Sequence, residues 1–389
     1  MDLVFAKRME SLGTETAFEV LAKAKALEKQ GKNVVHLEIG EPDFDTPKNI
    51  KDAAAKALNA GYTHYTPSAG MPELRQAVAE YVSKTRNLQV TADEVVVTPG
   101  AKPIMFYSVL ALVNPGDEVL YPNPGFPIYE SLINFVGAKP VPVPLMEEND
   151  FGLDPEFIKD NITDKTKLII INSPENPTGG VLSKEDLGLI ADCVSDRDDV
   201  FVLADEIYSR IIYEGKHESI TQFPDMKDKT ILLDGFSKTY AMTGWRLGYG
   251  VMQKDLAQKC AQLMTNSNSC TCAFTQLAGV EALRGPQTEP EKMVAEFKKR
   301  REVIVSGLNG IKGITCKKPR GAFYVFPNTK GTGMDCRKLG DHLLYNAGVA
   351  VLPGTSFGKY GEDHLRLSFA NSVENIKKAL DRIAKAVEK

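Results

Sequence analysis

The chain reads as an α/β protein: a large domain with a mixed, mostly parallel sheet flanked by helices, and a smaller α+β domain. Three observations predict this. Apolar runs at 95–97, 118–121, 168–171, 200–204 and 230–233 are continuous rather than alternating, the pattern of strands buried on both faces. Helical segments such as 184–194 separate successive runs, as crossovers in a parallel sheet require. Beyond residue 284 the texture changes: a polar stretch at 284–291 and a charged helix through Arg301 lead into short apolar runs alternating with helices. With 389 residues and 43% hydrophobic content, the chain is long enough for two cores.

Taken in order, residues 10–30 carry Ala, Leu and Val at helical spacing and predict a helix stopped at Gly31. A strand at 33–37 enters the proline-bounded loop 40–47, where Gly40 lets backbone approach a ligand and forms one wall of a binding site. The aromatic loop 62–70 runs into a helix with Pro72 in its first turn. The strand ending at Thr98 gives way to Pro99-Gly100-Ala101-Lys102 and a helix over 104–112; strand, glycine turn and helix start make an anion site, a geometry that also occurs without a ligand. The strand 118–121 leads to Pro122-Asn123-Pro124-Gly125-Phe126, whose ring either covers a flat heterocycle or caps the core. Past the change of texture, 321–326, 349–353 and 364–369 read as short strands, 338–347 as a helix, and the chain closes on an amphipathic helix.

Composition excludes several classes. Lys+Arg total 47 against 51 Asp+Glu, a net charge of −4, with no basic tract of the kind nucleic acid needs. No run approaches the roughly 18 apolar residues of a membrane span, and the opening residues lack a basic-then-apolar leader, so a cytoplasmic protein is expected. The six cysteines, of which Cys270 and Cys272 alone lie close together, do not match a zinc knuckle, and the five histidines lack metal-ligand spacing. Reduced thiols and no metal are expected.

The stretch from Gly235 to Gly248, which contains Ser237, Lys238 and Arg246, follows the buried run 230–233. A lysine at the carboxyl end of such a strand sits where open α/β sheets bind ligands, and burial depresses its pKa toward a nucleophilic amine. A lysine just past a strand can equally be solvated. Here Ser237 offers a hydroxyl and Arg246 a planar fork, a grip for phosphate; an amine with a phosphate grip suggests pyridoxal phosphate. Asp205, directly after an apolar run, needs a partner to stay ionised, such as a protonated ring nitrogen. Arg366, between apolar neighbours, needs an anion, which a substrate carboxylate supplies bidentately.

Together these residues resemble the class I/II aminotransferases, the fold-type-I pyridoxal-phosphate enzymes related to aspartate aminotransferase, over nearly the whole chain. The lysine signature from Gly235 to Gly248, Asn-Pro-x-Gly at 176–179, Asp-x-x-Tyr at 205–208 and the closing arginine at 366 occur in the family's order. The resemblance implies that Lys238 carries the cofactor covalently and then moves the proton at the substrate Cα, while Asp205 keeps the pyridine nitrogen protonated. Asn176 and Tyr208 would hydrogen-bond the ring's phenolic oxygen, Phe126 would stack on its face, and Gly100, Ala101, Ser237 and Arg246 would hold its phosphate, with Lys102 alongside. Arg366, with Gly40 and Asn176, would bind the α-carboxylate of the substrate. It further implies a homodimer with shared active sites, Tyr65 reaching the neighbouring subunit's phosphate. The implied division is an arm of residues 1–40 packed with the small domain, a large cofactor-binding domain of 41–284 and a small domain of 285–389. Lys102 looks like a lysine used near dicarboxylic substrates, whereas Glu15 would repel a second carboxylate.

The expected activity is therefore transfer of an amino group from an L-α-amino acid, acidic, aromatic or aliphatic, to a 2-oxo acid, 2-oxoglutarate first, by a ping-pong route. A β-eliminating lyase or synthase on the same scaffold is the alternative, since fold does not fix reaction. A cofactor-binding regulator would need an attached DNA-binding segment, and no helix-turn-helix precedes Gly31.

Overall fold

The computed structural model describes residues 3–388. Twelve strands run in chain order: β1 (Val35–His36), β2 (Val95–Thr98), β3 (Glu118–Asn123), β4 (Lys139–Pro144), β5 (Thr166–Asn172), β6 (Phe201–Asp205), β7 (Thr230–Gly235), β8 (Gly248–Val251), β9 (Tyr324–Val325), β10 (Val349–Ala350), β11 (Leu352–Pro353) and β12 (Leu365–Ser368). Seven of them form one sheet in the order β2-β8-β7-β6-β5-β3-β4. Every neighbouring pair is parallel except those made by β8, which runs against both β2 and β7. The sheet is thus mixed and mostly parallel; β2, β3 and β7 are buried along their whole length and β5 everywhere but at Lys167, as continuous apolar runs require.

Two strands of this sheet escape a reading of local pattern. β4 holds Pro140, Pro142 and Pro144, which a strand interior excludes; it is tolerated because β4 is the edge, where a missing N–H interrupts no second ladder. β8 is short and carries Gly248 and Gly250, and is held by its two ladders.

Helices cover both faces. Ser183 caps Lys184–Ser195 in a capping box with Asp186, and Asp154 caps Pro155–Asn161, satisfying amides that the first turn leaves free. The first helix is shorter than its periodicity suggests, Thr16–Lys29 rather than from residue 10, with a separate 3-10 turn at Lys7–Met9. Its stop at Gly31 is as expected, with φ +83°. The polar stretch after Arg284 is no long linker: Gly285–Gln287 separates Ala273–Arg284 from the 22-residue helix Thr288–Asn309. The predicted helix at 338–347 is Cys336–His342 continued by a wider π turn, Leu343–Ala347. Around the long helix and the closing helix Val373–Val387 a second core gathers, with the three-stranded sheet β11-β12-β9 and the parallel pair β1-β10. The strand near the amino terminus therefore pairs with one near the carboxyl terminus.

Candidate active site

Strand direction and register build the site. β2, β3, β5, β6 and β7 point the same way, so the residues after them gather on one edge. Because β8 is reversed, the residues before it reach that same edge. Gly248 is the partner of Thr98 on one side and Gly235 on the other. Two residues beyond these lie Gly100, Arg246 and Ser237, which sequence separation keeps far apart. They meet beside a cavity of about 550 Å³, which Ser237 and Arg246 line together with Gly40, Ala101, Lys102, Phe126, Asn176, Asp205, Tyr208, Lys238 and Arg366, while Gly100 lies behind Arg246.

Lys238 donates from Nζ to the Gly40 carbonyl at 2.6 Å. Burial pushes its amine down to about 8, against the pull of Glu41. An amine that titrates this close to neutral pH supplies far more of its neutral form than a solvated lysine, as a nucleophile and proton carrier needs. Asp205, at the end of β6, accepts from the Tyr129 hydroxyl at 2.7 Å and the Ile207 amide at 3.2 Å. Burial lifts its carboxyl to about 6, and these two donors hold it from rising further. No lysine, arginine or histidine among the described residues pairs with it. A buried carboxylate facing a cavity in this way suits a cationic ring nitrogen.

Arg246 lies at φ +53° and spends its fork on carbonyls, donating to Thr243 at 2.9 Å and weakly to Pro99 at 3.4 Å. Gly100 is favoured by its φ of +85°, and a Cβ there would push the Arg246 guanidinium aside, while one on Gly248 would strike the Ala101 amide. The bare backbone at the start of the helix Lys102–Leu112 and the arginine beside it form an anion cradle that fits a phosphate. Arg366 is buried, with Nη1 donating to Asn176 Oδ1 at 3.3 Å, Nη2 to the Glu38 carbonyl, and Nε without a partner. Its plane lies over the Tyr324 ring, 4.5 Å from the centroid. A guanidinium with neutral partners and one orphaned N–H in a pocket is a seat for a carboxylate.

Two further residues of the expected site stand apart from the cradle. Lys102 is not free beside the anion cradle: its amine forms an ion pair with Glu15 and lies 5.3 Å from the Phe126 ring centroid. Tyr65 is 90% exposed and lines no part of its own chain's cavity. Conversely, Tyr129 and Tyr324 were not legible. Tyr129 lies three residues after Phe126, a spacing that puts both on one side of a helical turn, with rings edge to face at 5.7 Å. The Tyr324 hydroxyl meets that of Tyr208 at 2.7 Å, and a Cβ on Gly40 would overlap it.

A buried lysine of lowered pKa, a buried carboxylate, an anion cradle and an arginine seat, all at the carboxyl edge of a mostly parallel sheet, define a pyridoxal-phosphate enzyme acting on amino acids. The family model for aminotransferase class I and II matches residues 32–383, and the chain belongs to that family. It is 44% identical over 373 residues to an aspartate aminotransferase of Pyrococcus horikoshii, covering 95% of this chain and 94% of the other. It is 38% identical to the aspartate aminotransferase of Bacillus subtilis, over 99% of both. Among solved structures it superimposes on the Thermus thermophilus aspartate aminotransferase with maleate at TM-score 0.95 and 37% identity, over 99% of this chain and 100% of that one. An alanine aminotransferase of Pyrococcus furiosus follows at TM-score 0.94 and 34% identity, with coverage of 99% and 100%. The protein is a pyridoxal-phosphate-dependent transaminase, with amino acids and 2-oxo acids as substrates. Nothing in these likenesses supports the lyase alternative.

Proposed function

We propose that the amino donor is L-aspartate and the acceptor 2-oxoglutarate, exchanged by a ping-pong route in a cytoplasmic homodimer. The convergence of Lys238, Asp205 and Arg366 on one cavity carries the reading, and the name aspartate aminotransferase borne by relatives in several organisms supports its choice of donor. In this reading Gly100, Ala101, Ser237 and Arg246 hold the cofactor phosphate, Asp205 keeps the pyridine nitrogen protonated, Asn176 and Tyr208 hydrogen-bond the phenolic oxygen, and Phe126 covers the ring face. When bound, pyridoxal phosphate supplies a carbonyl for the amine and an electron-poor ring that takes up charge as the Cα proton leaves. Lys238 moves that proton, its amine already half neutral near pH 8. The Arg366 fork fixes the α-carboxylate and so the direction of the Cα–H bond.

The homodimer and the role of Tyr65 at the partner's phosphate are supported by the exposure of Tyr65 on the isolated chain, and of Leu3, Val4 and Phe5 on its arm. The two-core division, with residues 1–40 carried by the smaller unit, is supported by the β1-β10 pairing. Six unpaired cysteines suit a reducing compartment, and no helix of the described residues is long and apolar enough to cross a membrane.

The Lys102–Glu15 pair favours a second reading, in which a neutral or aromatic donor is preferred because Glu15 already answers the lysine. Single-turnover loss of the bound cofactor's absorbance band with acidic, aromatic and aliphatic amino acids separates the two. Fast conversion with aspartate establishes the first; preference for phenylalanine or alanine establishes the second. Lys238→Ala should abolish both turnover and the normal band, and retention of both would refute the assignment of this lysine.

A further inference from the structure

We infer that His36, outside the cavity, is a positioning residue that holds the carboxylate seat in place, through an imidazolium clasp between Glu28 and Glu38. The inference rests on Arg366 as the seat of the substrate α-carboxylate. Nothing in the chemistry of the reaction calls for a histidine here.

His36 lies in β1, with Nδ1 2.7 Å from Glu38 Oε1 and Nε2 3.0 Å from Glu28 Oε1. Both ring nitrogens face carboxylates, an arrangement that only the doubly protonated ring satisfies with donors at each end. Glu38 is fully buried and its second oxygen, Oε2, has no hydrogen-bond partner, so among the described residues the ring is its one side-chain hydrogen bond, with the charge of Arg366 acting on it from further off. The Glu38 carbonyl accepts from Arg366 Nη2. The segment is tied to the strand that carries Arg366 by Ser368 N–H to Leu37 O at 2.8 Å, and Asn371 Nδ2 donates to His36 O at 3.0 Å. The contacts run unbroken from Glu28 on the first helix, through the ring and Glu38, to the guanidinium.

Glu38, on its own segment, and Glu28, on the helix Thr16–Lys29, are the charged groups that act on the ring, and both raise its pKa, Glu38 more. Lys25 reaches it only by pairing with Glu28 at 2.8 Å. The adjoining strand β10 and the turn bearing Asn371 bring no charge, and charged side chains of the closing helix make no ion pair with it. The sign follows. A histidine whose folded pKa is raised contributes fully below its unfolded value of about 6.5 and loses that contribution as pH rises through the folded value. Above it, the two carboxylates face a neutral ring that can donate to one of them only, and the carbonyl under Arg366 keeps its backbone ties but loses one side-chain tie.

The test is calorimetric binding of two unreactive carboxylates, maleate and hydrocinnamate, to the cofactor-loaded enzyme from pH 5.5 to 9. Native protein should weaken toward both as pH rises, by roughly 2- to 10-fold, the worth of one hydrogen bond. His36→Gln should bind more weakly at the acid end and show a shallower alkaline limb than native protein, and the double variant His36→Gln/Glu38→Gln should recover affinity while keeping that shallower limb, since Asp205 and Lys238 titrate in the same cavity in every variant. Matching cofactor absorbance and melting temperature show that the variants are folded; should His36→Gln not fold, Glu28→Gln is expected to shift the limb to lower pH. An unchanged limb in folded His36→Gln, or an unmoved limb in Glu28→Gln, overturns the inference. Arg366→Gln is the separate control: undiminished carboxylate binding there would remove the seat itself, whereas its loss there with an intact limb in His36→Gln would remove only the clasp.

Discussion

Single side chains here are tuned by what surrounds them. Asp205 illustrates it: burial pushes the carboxyl toward its neutral form, and the Tyr129 hydroxyl and Ile207 amide favour its charged form. Tyr129→Phe removes the 2.7 Å donor. Asp205 should then titrate above about 6, and a hydrogen bond to a charged group worth about 1.5–3 kcal/mol should be lost. Titration of the bound cofactor's absorbance against pH measures this directly, and an unshifted titration would mean that Tyr129 is only packing. Lys238, Asp205 and Arg366 were legible because a charged residue after an apolar run is costly without a function. Tyr129 and Tyr324 were not, because an aromatic residue at such a position is equally at home in a core.

At the level of elements, the anion cradle is the product of a reversed strand. Five parallel strands deliver the ends of their own loops to one edge, but Arg246 arrives from the front of β8, and only an antiparallel β8 brings it there. Gly248 is the hinge pin of that arrangement, with Ala101 backbone where its side chain would be. Gly248→Ala should therefore force the Gly100–Ala101 turn away from Arg246, costing about 1–3 kcal/mol of stability as overpacking does and weakening cofactor retention further. Thermal melts with and without added pyridoxal phosphate check it: the variant's gain on adding cofactor should be smaller than the native protein's. An equal gain would place the phosphate elsewhere. The edge strand β4 shows the opposite case, three prolines masking a strand that only its position permits.

The whole molecule joins its two ends. β1, near the amino terminus, pairs with β10 near the other end, and the segment after it carries Gly40 into the cavity and Glu38 behind it, where their carbonyls receive Lys238 and Arg366. Tyr65, standing away from its own cavity, is the residue through which the proposed dimer can be examined. Mixing Tyr65→Ala chains with Lys238→Ala chains should yield mixed dimers in which one site has both native residues. Activity of the mixture should exceed the sum of the separate preparations; simple additivity would leave each site served by its own chain.

What the sequence determined by itself is the chemistry: buried strands ending in Asp205, Lys238 and the residues around them, the glycine turn at Gly100, and an arginine between apolar neighbours. These are local signals, since hydrophobic period and the cost of burying charge can be read from a few adjacent residues. The tertiary structure alone decided which ends meet. The reversal and register of β8, the capture of Lys102 by Glu15, the support of Asp205 by Tyr129 and the clasp of His36 between two carboxylates all join residues through space. An apolar pattern states which face of an element is buried, and never which neighbour it is buried against.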